Sequence, residues 1–313
     1  MKKTVLIVGF GSIGQRYYNL LAKNKNFDVS VYSKYLASSP KVSKEKLKIK
    51  LCEYRMLNSK TFDLIIICSE NKKHILDLLK FESFTQKILV EKPLSHQVVP
   101  RNTMKKLLAL NKQIYVSSPL RFHKGFAELE SSIGKIGHIS GVIVVCKSWL
   151  PDWRPGRSIQ NGFWNQQSQG GVVLELIHEI DYMNKLFKKF TFHSKLKSKF
   201  SGLALKVDSG VDALFRGDGF NINLRLDFSS REKSRYIRID GGKGFILWDI
   251  ITGRFTLSTQ TEKKVVNYKS DLNRDEILMR QIKDILNRKG NRASTLREAN
   301  EAMLIAHELR RNN

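Results

Sequence analysis

The chain has 313 residues, 41% hydrophobic and 27% charged, with 55 Lys and Arg against 29 Asp and Glu for a formal net charge of +26. That length corresponds to about two domains of roughly 100–200 residues, and the apolar fraction excludes intrinsic disorder. The three cysteines (Cys52, Cys68, Cys146) are too far apart for a disulfide framework and suit a reducing cytoplasm, and no apolar run approaches the roughly 18–20 residues that span a bilayer.

Met1-Lys2-Lys3 before Thr4–Val8 has the look of a signal start, but the apolar run stops at Gly9 and reads as a buried first strand. Further strand-like runs follow at 28–33, 49–54, 62–69, 87–93 and 113–118. Amphipathic stretches at 13–23, 73–81 and 103–110 lie between them. Apolar strands alternating with helices predict a parallel sheet covered on both faces, and this pattern fills residues 1–120. Beyond it the pattern changes. A strand at 138–150 leads into a polar loop at 151–171 and a helix at 172–187. Alternating strands then follow at 190–200, 210–215, 220–228, 235–240, 245–248 and 255–258. Alternation with hairpin-like turns predicts a mostly antiparallel sheet, so residues 121–313 are read as a second α/β domain. Helices near 274–288 and 295–310 close the chain.

The positive charge is spread over both halves, 22 Lys/Arg against 8 Asp/Glu in residues 1–120 and 33 against 21 in 121–313. Its densest stretch, Lys41–Lys50, has no interleaved aromatics, which favours a solvated lysine-rich surface over a nucleic-acid site. The charge can still attract anionic ligands.

Gly9-Phe10-Gly11-Ser12-Ile13-Gly14 is a G-x-G-x-x-G turn that ends a strand and opens a helix. The first glycine permits the turn, the second lets backbone approach a pyrophosphate, and the third lets helix and strand pack closely. The helix N-terminus offers N–H groups and partial positive charge to the phosphates. The next strand ends Val31-Tyr32-Ser33-Lys34 without the carboxylate that holds the ribose 2′-hydroxyl of NAD. Ser33 and Lys34 there favour NADP, with NAD the alternative.

Glu91-Lys92-Pro93 closes an apolar strand, where an open parallel sheet binds its ligands; Pro93 fixes the local backbone and favours a cis bond. In Gly170–Tyr182, the residues Glu175, His178 and Asp181 or Tyr182 are three or four apart and share one face of a helix. Leu176, Ile180, Met183 and Phe187 form a separate apolar stripe. Carboxylates one turn from a histidine can fix its tautomer and raise its basicity. No compact His, Cys and carboxylate set has metal-ligand spacing, so no metal is expected.

In order and spacing these motifs, together with Ser69-Glu70-Asn71 and His74 and with Arg121-Phe122-His123, resemble the Gfo/Idh/MocA oxidoreductase family over essentially the whole chain. The segment Leu150–Arg157 is similar to a branch associated with surface-sugar and nonulosonic acid pathways. The resemblance implies a Rossmann domain followed by an α/β domain with an open, mostly antiparallel sheet that forms a homodimer or homotetramer interface. It implies an NAD(P)-dependent enzyme oxidising or reducing a secondary alcohol or ketone of a sugar, sugar derivative or cyclitol in the cytoplasm. Lys92 would contact the reacting oxygen, His178 would be the general acid/base and Glu175 would orient it. Gly9, Gly11, Ser12, Ile13, Gly14, Ser33, Lys34, Ser69, Asn71, His74, Glu91 and Lys92 would hold the cofactor. Arg121, Trp153, Arg154, Arg157 and Asp181 are the substrate-binding candidates. Ser158-Ile159 and Ile177 depart from the family pattern. They keep open the alternative of a non-catalytic dinucleotide- or sugar-binding homologue with a regulatory role.

Overall fold

The computed structural model describes residues 1–33, 50–51, 54–57, 60–153, 155–156, 158–287 and 292–311. The chain divides into two compact units, Met1–Ser118 with Leu278–Asn300, and Pro119–Ile277 with Glu301–Asn313. The sequence reading left 121–313 undivided; the segment Leu278–Asn300 instead completes the first unit.

In the first unit, strands β1 (Lys3–Val8), β2 (Phe27–Tyr32), β3 (Lys50–Leu51), β4 (Leu64–Ile67), β5 (Lys87–Val90) and β6 (Gln113–Val116) pair in parallel in the order β6-β5-β4-β1-β2-β3. The central strands are apolar because they are covered on both faces: every residue of β4 is fully buried. Helices α1 (Ser12–Ala22), α2 (His74–Phe81) and α3 (Arg101–Ala109) lie in the crossovers. α1 sets Gly14, Tyr17, Tyr18 and Leu21 inward at helical spacing.

In the second unit, helix α4 (Lys124–Ser132) precedes the long strand β7 (Ile139–Trp149). Next come α5 (Val172–Glu175), α6 (Ile177–Leu186) and the strands β8 (Phe190–Ser198), β9 (Gly210–Gly217), β10 (Asn221–Asp227), β11 (Ser229–Gly241), β12 (Gly244–Asp249), β13 (Arg254–Thr259) and β14 (Lys263–Asn267). The sheet order is β14-β13-β12-β11-β7-β10-β9-β8, antiparallel at every pairing except β10 with β7. One side of this sheet carries the core, including Val142, Val144, Ile246, Trp248, Phe255 and Leu257.

Helix α7 (Arg274–Leu286), the short strand β15 (Ser294–Thr295) and helix α8 (Leu296–Arg310) end the fold. β15 adds to the first sheet antiparallel to β6, and Ser294 donates its N–H to Ser118 Oγ at 3.1 Å. The Lys87 ammonium caps the end of α7 by donating to the carbonyls of Ile285 and Leu286 at 2.7 and 2.8 Å. Strands β14 and β15 and helix α4 are absent from the sequence reading. β14 is five residues long with no fully buried position, its only apolar residues being the adjacent Val265 and Val266, and β15 is two residues long.

Candidate functional site

The glycine turn sits where β1 hands over to α1. Gly9 has φ +93°, and a side chain there would meet the Ser69 backbone nitrogen at 2.7 Å. A methyl on Gly14 would lie 2.3 Å from the Gly9 carbonyl oxygen. Gly11 differs: a methyl there would meet nothing within 4 Å. So two glycines let the backbone close on itself, and one leaves open space at the start of the helix. Gly11 and Ser12 are exposed, Ile13 is half-buried, and Gly11 caps α1 with no side chain on its amides and no acid in the first turn. The first-turn N–H groups have no intrahelical acceptor, so this end of α1 is suited to an anion. Ser33, half-buried, follows the last residue of β2. Lys34 lies outside the described residues.

Ser69 and Asn71 lie just beyond β4, and the Ser69 hydroxyl oxygen is buried without a hydrogen-bond partner. Asn71 is buried and opens the turn that leads into α2. These groups fit a nicotinamide dinucleotide: amides and open space for the pyrophosphate, a hydroxyl beside it, and no carboxylate in the described end of β2. His74 and Glu91 are differently engaged. His74 Nδ1 lies 2.8 Å from the Pro93 carbonyl oxygen and Nε2 lies 2.9 Å from that of Ser69; burial holds its pKa below the ordinary value. The Glu91 carboxylate accepts a 2.8 Å hydrogen bond from the buried Tyr17 hydroxyl. Lys92, half-buried, follows Glu91 and is joined to Pro93 by a cis peptide.

In the second unit the expected single helix over 172–187 is two, broken at Leu176, whose φ and ψ are −103° and 26°. Glu175 therefore ends one helix and His178 belongs to the next, and the expected helical face through both is interrupted. The cause is legible in burial. Val172 through Ile177 are all buried, so this segment has no solvent side for an amphipathic helix to keep. Glu175 is buried and His178 half-buried.

Arg121 and Asp181, two expected substrate contacts, are brought together with each other. Arg121 donates from Nε to Asp181 Oδ2 and from Nη2 to Oδ1, each at 2.8 Å, and is fully buried. Both carboxylate oxygens are thereby occupied, which makes the pair a structural tie of α6 rather than an open substrate contact. Trp153 is 38% exposed and donates its indole N–H to Ser148 Oγ at 2.9 Å, while Arg154 and Arg157 lie outside the described residues.

The first unit carries its own family mark. Residues 3–118 match the family model described as "Oxidoreductase family, NAD-binding Rossmann fold" (GFO_IDH_MocA). These residues carry the NAD-binding Rossmann domain of the Gfo/Idh/MocA oxidoreductase family. A comparison with curated protein sequences finds no match. Among solved structures, a levoglucosan dehydrogenase in complex with NADH and levoglucosan superposes with TM-score 0.80 at 15% identity, over 99% of this chain and 96% of that one. An inositol dehydrogenase homolog complexed with NAD+ from Azotobacter vinelandii gives 0.80 at 12%, covering 99% and 95%. The UDP-N-acetylglucosamine 3-dehydrogenase GnnA from Acidithiobacillus ferrooxidans gives 0.77 at 15%, covering 99% and 97%. At these identities the likeness is one of fold. The family match makes the first unit an NAD-binding Rossmann domain of an oxidoreductase family.

Sequence reasoning gave no role to Glu179, Arg235, Tyr17 and Gln281. Glu179, fully buried, accepts from Arg235 Nε at 2.6 Å and from Nη2 at 3.0 Å. Burial opposes the charge on Arg235, but the Glu179 carboxylate holds its pKa above the ordinary value. Burial, then the same carboxylate, push the Cys146 thiol up to about 12. Tyr17 and Gln281 meet in the first unit, Gln281 Nε2 lying 3.4 Å from the Tyr17 hydroxyl. Glu179 stood inside the HEIDY segment, and its place beside His178 was the available signal.

Proposed function

We propose that this oxidoreductase interconverts a secondary alcohol and a ketone on a sugar, sugar derivative or cyclitol, with NADP as the preferred nicotinamide. The observation that carries the reading is the open space over Gly11 at an uncapped helix start that follows β1, in the same sheet as β5, two residues beyond whose end Lys92 lies. The sugar and cyclitol dehydrogenases of like fold support the substrate class. The preference for NADP is supported by Ser33, which can donate to a 2′-phosphate where a carboxylate would repel it.

Gly9, Gly11, Ser12, Ile13 and Gly14 would hold the pyrophosphate, with Ser33 at the adenosine ribose and Ser69 and Asn71 beside the loop. When bound, the nicotinamide supplies a hydride acceptor or donor for the carbinol carbon. Lys92 donates a hydrogen bond from Nζ to the substrate oxygen and stabilises negative charge developing on it. His178 Nε2 or Nδ1 takes the hydroxyl proton in the oxidative direction and returns it in the reductive one, and Glu175 steadies the imidazolium. The free thiols of Cys68 and Cys146 suit a reducing cytoplasm. The exposed Ile143 and Val265, on strands β7 and β14, support a homodimer or homotetramer formed through the second sheet.

The test is turnover of NADP(H) and NAD(H) with a panel of sugars, cyclitols and nucleotide sugars and their keto forms. Lys92→Ala is expected to cut turnover by about 10²-fold or more while NADPH affinity holds, and His178→Ala is expected to remove the basic limb of the pH–rate profile. Near-normal rates in both variants would mean that other residues carry the chemistry. Tight NADPH binding without turnover across the panel would favour the non-catalytic homologue, the reading that Ser158, Ile159 and Ile177 point towards.

A further inference from the structure

We infer that Tyr17 and His74 are positioning residues for Lys92, holding from both sides the strand-end corner that carries it. The inference rests on the reading of Lys92 as the group that meets the substrate oxygen. It gives His74 and Glu91 a different task from cofactor contact.

The corner is Glu91-Lys92-Pro93, directly after β5. Only its middle member is half-buried; Glu91 is 8% exposed and Pro93 is buried. A carboxylate so placed needs a hydrogen-bond donor, since burying it unpaired is costly. Tyr17, fully buried on α1, supplies one at 2.8 Å. Burial, then the Glu91 charge, hold the Tyr17 hydroxyl well above its ordinary pKa, so it keeps its proton. Its oxygen also lies 3.5 Å from Ser117 Oγ at the end of β6, and both hydroxyls are 3.4 Å from Gln281 Nε2. Gln281 in turn accepts the Ser118 N–H at 2.9 Å. The residue before Lys92 is thus tied to α1, to the end of β6 and to α7.

The residue after Lys92 is tied from α2. The His74 ring is 1% exposed and bridges two main-chain carbonyls, that of Pro93 and that of Ser69. A neutral ring donates to one of these acceptors and an imidazolium to both. Either way the corner after β5 is fastened to the loop after β4, the loop whose Ser69 nitrogen faces Gly9. The glycine turn and the lysine corner therefore share one set of supports. A lysine side chain has many rotamers, so the direction of its main chain is what the protein can fix in advance. A displacement of about 1 Å at a reacting group can cost as much as 10²-fold in rate.

The experiment compares the full-length wild type with Tyr17→Phe, His74→Phe and His74→Asn. Two readouts are taken: reductive methylation of Lys92 relative to the exposed Lys105 and Lys106, followed by peptide mass spectrometry, and kcat, KM and NADPH affinity with the best substrate of the panel. Tyr17→Phe and His74→Phe are each expected to lower kcat about tenfold with NADPH affinity unchanged, and to alter methylation at Lys92 but not at the reference lysines. His74→Asn, which restores one donor, should recover part of the loss. Wild-type methylation at Lys92 in folded Tyr17→Phe overturns the inference, and so does a kcat loss matched by an equal loss of NADPH affinity. If His74→Phe does not fold, Tyr17→Phe decides alone. Full turnover in Lys92→Ala would instead remove the underlying reading, while the methylation result would still judge whether the corner is held.

Discussion

Arg121 offers a sharp test, because its sequence reading and its structure point in opposite directions. As a substrate contact, its loss would raise KM and leave stability nearly untouched. As found, its guanidinium is fully buried and bound through two 2.8 Å hydrogen bonds to both oxygens of Asp181. Arg121→Met leaves the Asp181 carboxylate buried without its cation, a change that typically costs about 3–5 kcal/mol. At roughly 2–4 °C per kcal/mol for a unit of this size, the melting temperature of the second unit should fall by about 6–20 °C. Asp181→Leu should cost a similar amount by stranding the arginine. The double variant removes both charges and should regain most of the loss, because a buried pair is close to neutral against apolar replacements. Differential scanning calorimetry on the four proteins gives the double-mutant cycle directly. Single variants within about 1 kcal/mol of wild type, or a double variant showing the sum of two large losses, would refute the assignment.

Three further outcomes follow from the geometry. Gly14→Ala puts a methyl 2.3 Å from a backbone carbonyl and should lose about 1–3 kcal/mol of stability in urea unfolding. Gly11→Ala enters open space, so its stability should stay within about 0.5 kcal/mol of wild type while NADPH affinity, read by fluorescence titration, falls. The Lys264 ammonium, 2.6 Å from Glu128, holds that carboxyl below the usual carboxylate range, with a further bond from Tyr268 at 2.9 Å. A depressed carboxylate pKa stabilises the fold above the unfolded value of about 4.3 and stops doing so as pH falls through the folded value. Lys264→Met should therefore lower the melting temperature at pH 7 and converge on wild type in acid. The gap should be at most about 1 kcal/mol, since Lys264 is 38% exposed and screened.

What could be read in advance divides along physical lines. The first sheet was legible because buried parallel strands are continuous apolar runs: Leu64–Ile67 can hardly be anything else. The glycine turn was legible because its spacing follows from backbone sterics, which Gly9 and Gly14 then display as near-collisions. The break at Leu176 in the helix expected over 172–187 is not legible in the sequence. The apolar run there reads as one stripe of a helix, whereas burial on every side removes the need for helical phase. Residues 278–300 read as part of the second domain, and cluster with the first unit, because an amphipathic helix does not state which core it covers. In α7 that information sits in a single polar residue, Gln281, fully buried against Tyr17 and Ser117. The tie of Arg121 to Asp181 is illegible in the sequence for a related reason. A charged side chain reads as a ligand contact or a surface group until its partner is known, and that partner is 60 residues away.

The same reasoning explains how α6, which carries the half-buried His178, is held in one seating. Glu179 faces Arg235 on β11 and Asp181 faces Arg121, while Ile180, Tyr182 and Met183 enter the core. Two bidentate pairs on residues only two apart cannot both survive a rotation of the helix about its axis, because each fork fits one carboxylate plane. Rolling α6 by a single residue, about 100°, would strand two carboxylates and two guanidinium groups at once. The ionic ties therefore contribute less to net stability than to excluding alternative seatings of the helix. The seating of the helix that carries His178 thus falls to Glu179 and Asp181, on either side of Ile180.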